Sequence, residues 1–145
     1  MGIRKWIRYL FKVQSIRVPD LRPSFLLYHN GGEVLISCID NLGSDIKLIK
    51  EKVNNNENLM RMPNKLYRVL YHLDGTDVTN EIAEYIMESL IRSQQNICKI
   101  AIVGTTKSEK KNLNKWKSNF GCSLGINYFS SMDHAKDWLV SERFY

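Results

Sequence analysis

The chain has 145 residues, of which 43% are hydrophobic and 25% are charged, and its formal net charge is +6 at pH 7. This length and composition predict one globular domain, and no apolar run approaches the roughly 20 residues that a membrane-spanning helix needs. The first residues lack the apolar segment of a secretory signal, so we expect a cytoplasmic location.

The positive charge is concentrated near the N-terminus. Residues 1–23 contain six basic side chains and one acidic side chain, whereas residues 24–145 contain 15 basic and 14 acidic side chains. Because the body of the chain is almost neutral, its charge does not indicate a nucleic-acid partner. The sequence therefore divides into a basic N-terminal segment, residues 1–23, and an α/β domain, residues 24–145.

The N-terminal segment has apolar residues at helical spacing, with basic residues between them. The apolar positions are Ile3, Trp6, Ile7, Leu10 and Phe11. The pattern predicts an amphipathic helix that ends by Val18, because a residue before proline avoids helical geometry. We expect its apolar face to be buried against another surface, and three surfaces are considered. They are this domain or a second copy of the chain, an anionic membrane surface bound through residues 1–18, and nucleic acid. For a membrane or partner contact, the expected side chains are Arg4, Trp6, Arg8, Phe11 and Lys12.

The next elements are two strands and a helix. Residues 25–29 and 33–39 flank Asn30-Gly31-Gly32, whose glycines permit positive φ, so this stretch predicts a β-hairpin. Ser44 is the predicted N-cap of the helix that follows. That helix presents Ile46, Ile49 and Val53 on one face and is predicted to end within the polar run at residues 54–58.

The second half of the chain alternates strands and helices. We predict strands at residues 66–73, 97–103 and 126–129, and helices at residues 80–95, 108–120 and after the cap Ser131. The strand at residues 97–103 is apolar except for Lys99, which is typical of a parallel strand buried on both faces. The order β-β-α-β-α-β-α-β-α predicts an α/β fold, with a mixed sheet of about five strands packed with about four helices.

Ligands of such sheets bind where the parallel strands end and the following helices begin. Three loops lie there, at residues 74–79, 104–108 and 130–131, and their candidate binding residues are Asp74, Gly75, Thr76, Thr79, Thr105, Thr106 and Ser130. Helix capping is the competing interpretation of their hydroxyls. We predict that Thr79 is an N-cap, and that Thr76, which has no evident structural role, contacts a ligand or partner.

Motifs of familiar enzymes and metal sites are missing. The sequence has no phosphate-binding glycine loop and no nucleophile elbow. The three cysteines, Cys38, Cys98 and Cys122, and the three histidines lack metal-ligand spacing, so we expect reduced, buried thiols, no metal and no cofactor. A receiver-type phosphorelay domain is disfavoured, because no acidic pair follows the first strand to hold magnesium. We therefore expect a protein that is not an enzyme.

Two segments, together with the hairpin and the strand that ends in Leu-Asp-Gly-Thr, carry a resemblance to a known family. They are the Lys-Ile-Ala-Ile-Val-Gly stretch at residues 99–104 and the Tyr-Phe-Ser-Ser-Met-Asp-His-Ala-Lys-Asp-Trp-Leu stretch at residues 128–139. With the element order, they resemble the SpoIIAA-like branch of the STAS superfamily over about residues 24–142. The resemblance implies a non-catalytic regulatory module that binds protein partners, nucleotides or, in lipid-carrier-like relatives, apolar ligands.

Anti-sigma-factor antagonists of that superfamily are phosphorylated in an Asp-Ser-x-Gly pattern. This sequence has threonines in place of that pattern, so phosphorylation of Thr76 or Thr79 is left open. The lysine-rich helix at residues 107–117 is either a solvated face or a contact for an acidic partner. We expect a STAS-like module that binds a protein partner; the alternatives are a small-ligand or lipid-binding protein at membrane surfaces and an unrecognised enzyme.

Overall fold

The computed structural model describes residues 22–141. The predicted N-terminal helix, with Arg4, Trp6, Arg8, Phe11 and Lys12, lies outside these residues. The strands are β1 (Phe25–His29), β2 (Gly32–Cys38), β3 (Tyr67–His72), β4 (Ile97–Val103) and β5 (Ile126–Phe129). The helices are α1 (Ile46–Leu59), α2 (Asn80–Ser93), α3 (Lys107–Asn119) and α4 (Met132–Val140), with a 3-10 turn at Gln94–Asn96. The predicted α/β fold, with its five-stranded mixed sheet and four helices, is confirmed.

The sheet has the strand order β1-β2-β3-β4-β5. β1 is antiparallel to β2, and the other three pairings are parallel. Because the spatial order follows the chain order, each crossover moves one strand in the same direction and places its helix on the same face. Accordingly α2 packs between α1 and α3, whereas α4 packs on β2, β3 and β4 from the opposite face.

Alternate residues of β2, β3 and β4 therefore enter two separate cores. Leu35, Tyr71 and Ile102 belong to the larger core under α1, α2 and α3. Val34 and Ala101 belong to the smaller core, which Leu139 of α4 completes. The period-two alternation of side chains across a pleated strand explains this division.

Lys99 is the one charged residue of β4 and is almost fully buried. Its ammonium group donates to Trp138 O at 2.7 Å and to Ser141 O at 3.1 Å. Those carbonyls belong to the end of α4, where a helix leaves carbonyl groups unpaired and favours a positive charge. The lysine that interrupts the apolar pattern therefore anchors α4 to the sheet.

Two local predictions for α1 are wrong. Its N-cap is Asp45, which accepts a hydrogen bond from Leu48 N at 3.1 Å, whereas Ser44 Oγ donates to Asp77 Oδ2 at 2.6 Å. The helix also continues through the polar run to Leu59, because Asn56 and Glu57 face inward. Asn56 Oδ1 accepts from Ser24 Oγ, and the Glu57 carboxylate accepts from Ser89 Oγ at 2.9 Å. These distant partners hold the last turn helical.

The Glu57 carboxylate predicts how stability depends on pH. Its hydrogen bonds from Arg92, at 2.9 and 3.0 Å, hold the pKa of Glu57 below the ordinary value of 4.5. A carboxyl whose folded-state pKa is lowered contributes stability above its unfolded pKa, and this stability is lost as the pH falls through the folded value. A glutamine at this position keeps one acceptor oxygen but loses the second oxygen and the negative charge. The hydrogen bonds from Arg92 and Ser89 then cannot all be kept, which should cost about 1–3 kcal/mol at pH 7.

We expect Glu57→Gln to lower stability at pH 7 and to reduce the loss of stability below pH 4.5. Urea unfolding across this range measures both effects. Glu33→Gln is the matched control, because Glu33 also pairs with a basic side chain, Lys65, but its side chain is 39% exposed against 9% for Glu57. Equal acid slopes for the unsubstituted protein and Glu57→Gln would contradict the assignment.

Candidate functional site

The carboxyl ends of β3, β4 and β5 border a groove of about 460 Å³, which we name the carboxyl-edge groove. It is lined by Asp74, Gly104, Thr105, Thr106, Lys107, Lys110, Tyr128, Phe129 and Ser130. Of the predicted binding residues, Asp74, Thr105, Thr106 and Ser130 meet there. Gly75, Thr76 and Thr79 are not among the lining residues. Parallel strands bring their following loops to one edge, which is why this part of the prediction could be made from element order.

Gly104 brings the end of β4 against the loop after β3. Its φ is +92°, and a Cβ at this position would lie 2.7 Å from Asp74 N and 2.8 Å from Asp74 Cα. Glycine tolerates positive φ and lacks the atom that would collide with the neighbouring backbone. The floor of the groove therefore depends on a close backbone contact that admits only glycine.

The groove wall formed by α3 begins with a capping box. Thr106 Oγ1 accepts from Glu109 N at 3.1 Å, and Glu109 Oε1 accepts from Thr106 N at 2.9 Å. The second carboxylate oxygen of Glu109 accepts from Val78 N at 2.9 Å. Thr106 is thus a helix cap as well as a lining residue, and Glu109 joins α3 to the loop before α2.

Lys107 and Lys110 supply the positive charge of the groove, beside the first turn of α3. The ammonium group of Lys110 lies 5.1 Å from the ring centroid of Tyr128, and Tyr128 Oη donates to Asn114 Oδ1 at 3.0 Å. Burial raises the pKa of Tyr128 to about 12, so this phenol remains protonated at neutral pH. The two lysines outnumber the one carboxylate among the lining residues, Asp74, so with the N-terminus of α3 they favour negatively charged ligand groups.

The prediction that Thr76 lacks a structural role is wrong. Only 3% of Thr76 is exposed. Its hydroxyl donates to Ile39 O and accepts from Leu42 N at 3.1 Å, so both of its hydrogen-bonding functions are satisfied inside the protein. Thr76 therefore joins the loop after β3 to the loop after β2. A buried, fully bonded hydroxyl is a poor site for ligand contact or phosphorylation.

Gly75 belongs to the same connection. Its φ is +75°, and a Cβ there would lie 2.6 Å from Asn41 Oδ1. Gly43 N donates to Gly75 O at 2.9 Å, and Asp77 N donates to Gly43 O at 2.8 Å. These bonds extend the pairing of β2 and β3 beyond their ends, so Gly75 serves the fold here.

Capping explains two further hydroxyls. Thr79 Oγ1 accepts from Ile82 N at 3.3 Å, which confirms its predicted role as the N-cap of α2. Ser131 Oγ accepts from His134 N at 3.3 Å, so the predicted cap of α4 is also confirmed. By contrast, Ser130 is exposed at the groove.

A second polar cluster, which sequence reasoning missed, lies at the carboxyl ends of β2 and β3. Asp40 is buried, accepts from the Arg22 guanidinium, and lies 3.7 Å from His72 Nδ1. Cys38 is paired with His72 in the sheet register, and burial raises the pKa of its thiol. The only sequence signal was the position of these polar residues at two adjacent strand ends.

The cysteines were expected to be reduced and buried. None of the three forms a disulfide in the described part of the chain; Cys38 and Cys122 are buried, whereas Cys98 is half-buried. Within residues 22–141, no group of three or more His, Cys, Asp or Glu side chains is placed to hold a metal ion. No helix in the described part of the chain is long and apolar enough to cross a membrane.

Comparisons with protein-family models, curated proteins and solved structures find no match to this chain. The groove must therefore be judged by its own chemistry. It contains hydroxyls, two ammonium groups, one carboxylate and an aromatic wall, but no histidine or cysteine among its lining residues. These groups can bind an anionic surface, while a nucleophile activated by an imidazole base is not among them.

We expect substitutions of Thr76 and Thr79 to lower stability by different amounts. Thr76→Val leaves Leu42 N without its buried acceptor and should cost about 1–3 kcal/mol, whereas Thr79→Ala removes an exposed cap and should cost about 1 kcal/mol. Urea unfolding midpoints measure both. Thr105→Ala is the control, with an expected change within about 0.5 kcal/mol. A larger cost for Thr79→Ala than for Thr76→Val would contradict these roles.

Gly104→Ala should destabilise the protein by about 2 kcal/mol or more, through positive φ and the collision with Asp74. Gly121→Ala is the matched control, because φ there is +64° but nothing lies within 4 Å of the added Cβ. Gly121→Ala should therefore lower the free energy of unfolding by only the cost of positive φ, about 1–2 kcal/mol. Thermal or urea unfolding compares the two variants. An equal loss would mean that the contact with Asp74 adds nothing.

Proposed function

We propose that this protein is a non-catalytic regulatory module of STAS type that acts by binding a protein partner at the carboxyl-edge groove. The element order on which the resemblance rests is that of the structure. The Lys-Ile-Ala-Ile-Val-Gly stretch supplies most of β4 and the turn at Gly104, and the stretch at residues 128–139 supplies the end of β5 and most of α4. Both stretches border the groove.

The observation that carries the proposal is the exposure of the groove's polar groups. Asp74, Thr106, Lys107, Lys110 and Ser130 are all exposed, although they line a concave surface at the edge of the sheet. Rigid strands and capped helices position them, which is typical of loops that carry recognition. An open, hydroxyl-rich surface with basic residues suits the polar rim of a protein interface.

The charge of the groove favours an acidic partner. Lys107, Lys110 and Lys111 line a second concavity along the first two turns of α3. The remaining lysines of α3 are directed elsewhere: Lys115 Nζ donates to Asn80 Oδ1 at 2.8 Å, and Lys117 Nζ donates to Cys122 O at 3.1 Å. The lysines next to the groove are therefore the ones that a carboxylate-rich surface would meet.

A small-ligand-binding protein is the second candidate function. The groove volume of about 460 Å³ lies within the range of small-molecule pockets, about 300–1,000 Å³. Its lysines and hydroxyls favour an anionic ligand over the apolar ligand of lipid-carrier-like relatives. Native mass spectrometry of the purified protein tests this candidate, since a co-purifying small molecule lost in a Lys107→Gln/Lys110→Gln variant would favour it.

An enzyme of unrecognised type is the third candidate function, and the Cys38–His72–Asp40 cluster is its best support. Burial raises the pKa of Cys38, which disfavours the thiolate that a nucleophile requires. Only 3% of Cys38 is exposed, so a substrate has no direct approach to its sulfur. The proposal of a binding module therefore rests on the groove, and the cluster is assigned a structural role.

We expect Lys107→Gln/Lys110→Gln to weaken partner binding and to leave stability unchanged, because both side chains are exposed. Lys115→Gln/Lys117→Gln is the matched control, since it removes the same charge from the same helix away from the groove. Tagged protein of each form would capture partners from the native cell. The proposal predicts proteins retained by the unsubstituted form and by the control, and lost by the groove variant.

The association rate of a captured partner provides the second measurement. It should fall steeply with added salt, because exposed charges are screened beyond about 8–10 Å at physiological ionic strength. A rate independent of salt, or equal losses in the two double variants, would count against recognition by the groove lysines.

A further inference from the structure

β1 leaves apolar side chains uncovered on the sheet face that carries α1, α2 and α3. Leu26 pairs with Leu35, and cross-strand partners point to the same face. Leu35 belongs to the core under these helices, so Leu26 and Tyr28 point to that side. Leu26 is nevertheless 48% exposed and Tyr28 75% exposed. The helix layer therefore stops at α1 and leaves the edge strand bare.

A cavity of about 340 Å³ adjoins this strand along the flank of α1. It is lined by Pro23, Ser24, Lys52, Asn55, Asn56 and Leu59. The four residues from α1 recur at helical spacing, so they form the flank that faces β1. Leu59 is itself exposed at the end of this flank.

The loop before β3 closes the same end. Lys65 Nζ lies 2.9 Å from Glu33 Oε1, and Glu33 is the cross-strand partner of Tyr28. Tyr67 Oη donates to Leu59 O at 3.1 Å. Leu66, between those two residues, is 63% exposed. We name the resulting surface the β1 patch: Leu26, Tyr28, Leu59 and Leu66. Monomeric proteins seldom leave such clusters of large apolar side chains open without a partner.

We propose that residues 3–11 of this chain bind the β1 patch as an amphipathic helix, adding a fourth helix beside α1. Their apolar residues have the helical spacing that a sheet-covering helix requires. Nine helical residues are about 14 Å long, and the five residues of β1 extend about 17 Å, so the two surfaces match in length. The basic side chains of residues 3–11 then face solvent.

The point at which the described chain begins favours this occupant. Arg22 is held beside α1, because its guanidinium bonds Asp40 and its carbonyl oxygen accepts from Lys52 Nζ. Lys52 also lines the cavity, so the preceding residues start next to the β1 patch. Residues 12–21 can extend to about 33–36 Å, roughly twice the length of β1. A linker this short gives residues 3–11 a high effective concentration at the β1 patch of their own chain, which favours them over the same residues of a second copy.

Limited trypsin digestion of the full chain tests the proposal, with cleavage after Arg8 followed by mass spectrometry. Docking should slow this cleavage relative to a synthetic peptide of residues 1–18, since cleavage follows the undocked fraction. Leu26→Ser removes one large apolar side chain from the contact, so cleavage should become about tenfold faster. Tyr28→Ser is the second variant and should act in the same direction if Leu26→Ser fails to fold.

Phe25→Ser is the matched control. Phe25 is 45% exposed on the same strand, but it pairs with Ile36, which belongs to the core on the α4 face. It should leave the cleavage rate unchanged. Cleavage as fast in the full chain as in the peptide, or equal effects of Leu26→Ser and Phe25→Ser, would overturn the proposal.

Two further outcomes identify a different occupant and also overturn it. Protection that increases with protein concentration, with a dimer in sedimentation velocity, would assign the patch to a second copy. Protection that appears only with vesicles of phosphatidylcholine and phosphatidylserine would assign residues 3–11 to the membrane surface. Protection in a dilute monomer without vesicles is the result expected.

Discussion

The hydroxyl of Thr76 organises the edge of the sheet on which the candidate site lies. It bonds the backbone of the loop after β2 at two points, Ile39 O and Leu42 N, within the interior of the protein. Backbone bonds between Gly43 and residues 75 and 77 continue this pairing. The loop after β3 is thereby fixed on one side, so Asp74 is presented on the other side toward Gly104. The position of Asp74 in the groove therefore depends on the hydrogen bonds that the loop after β3 makes to the loop after β2.

This arrangement divides the polar residues of the edge into two classes with different energetics. Thr76 and Glu109 are engaged with backbone groups, so replacing them costs stability. Asp74, Lys107 and Ser130 are exposed and carry little of the fold's stability. Substitutions on a surface of the second class can change its charge without unfolding the protein. Such a division is what a recognition site on a rigid scaffold requires.

The parts of the fold that the sequence predicts well are those specified by nearby residues. β4 and β5 have the predicted bounds, because each is rich in β-branched or aromatic residues and is followed directly by a glycine or a serine. The caps Thr79 and Ser131 bond residues three positions later and could be read from local pattern. The convergence of Asp74, Thr105 and Ser130 followed from element order alone, since parallel strands end at one edge.

The wrong predictions all involve partners that are distant in sequence. Thr76 bonds residues 34 and 37 positions away, and Glu57 bonds Ser89 32 positions away. In both cases the polar residue resembled a solvated one, and only the packed structure brings its partner into reach. Ser44 failed as a cap for the same reason, because Asp77 engages its hydroxyl 33 positions away. Local propensity predicts the middle of a helix or strand more reliably than its ends, because tertiary contacts compete with local hydrogen bonds at the ends.

The layered architecture keeps the two open surfaces of the molecule apart. Strands in a sheet are spaced by about 4.8 Å, so β1 lies roughly 14 Å from β4, and α1 stands between the β1 patch and the groove beside α3. A helix seated on β1 would complete the layer of α1, α2 and α3 without covering Lys107 or Lys110. Its apolar contacts would strengthen the edge strand, which pairs with β2 alone among the described strands. A partner bound at the groove and a segment bound on β1 would therefore occupy separate surfaces, and neither would need to displace the other.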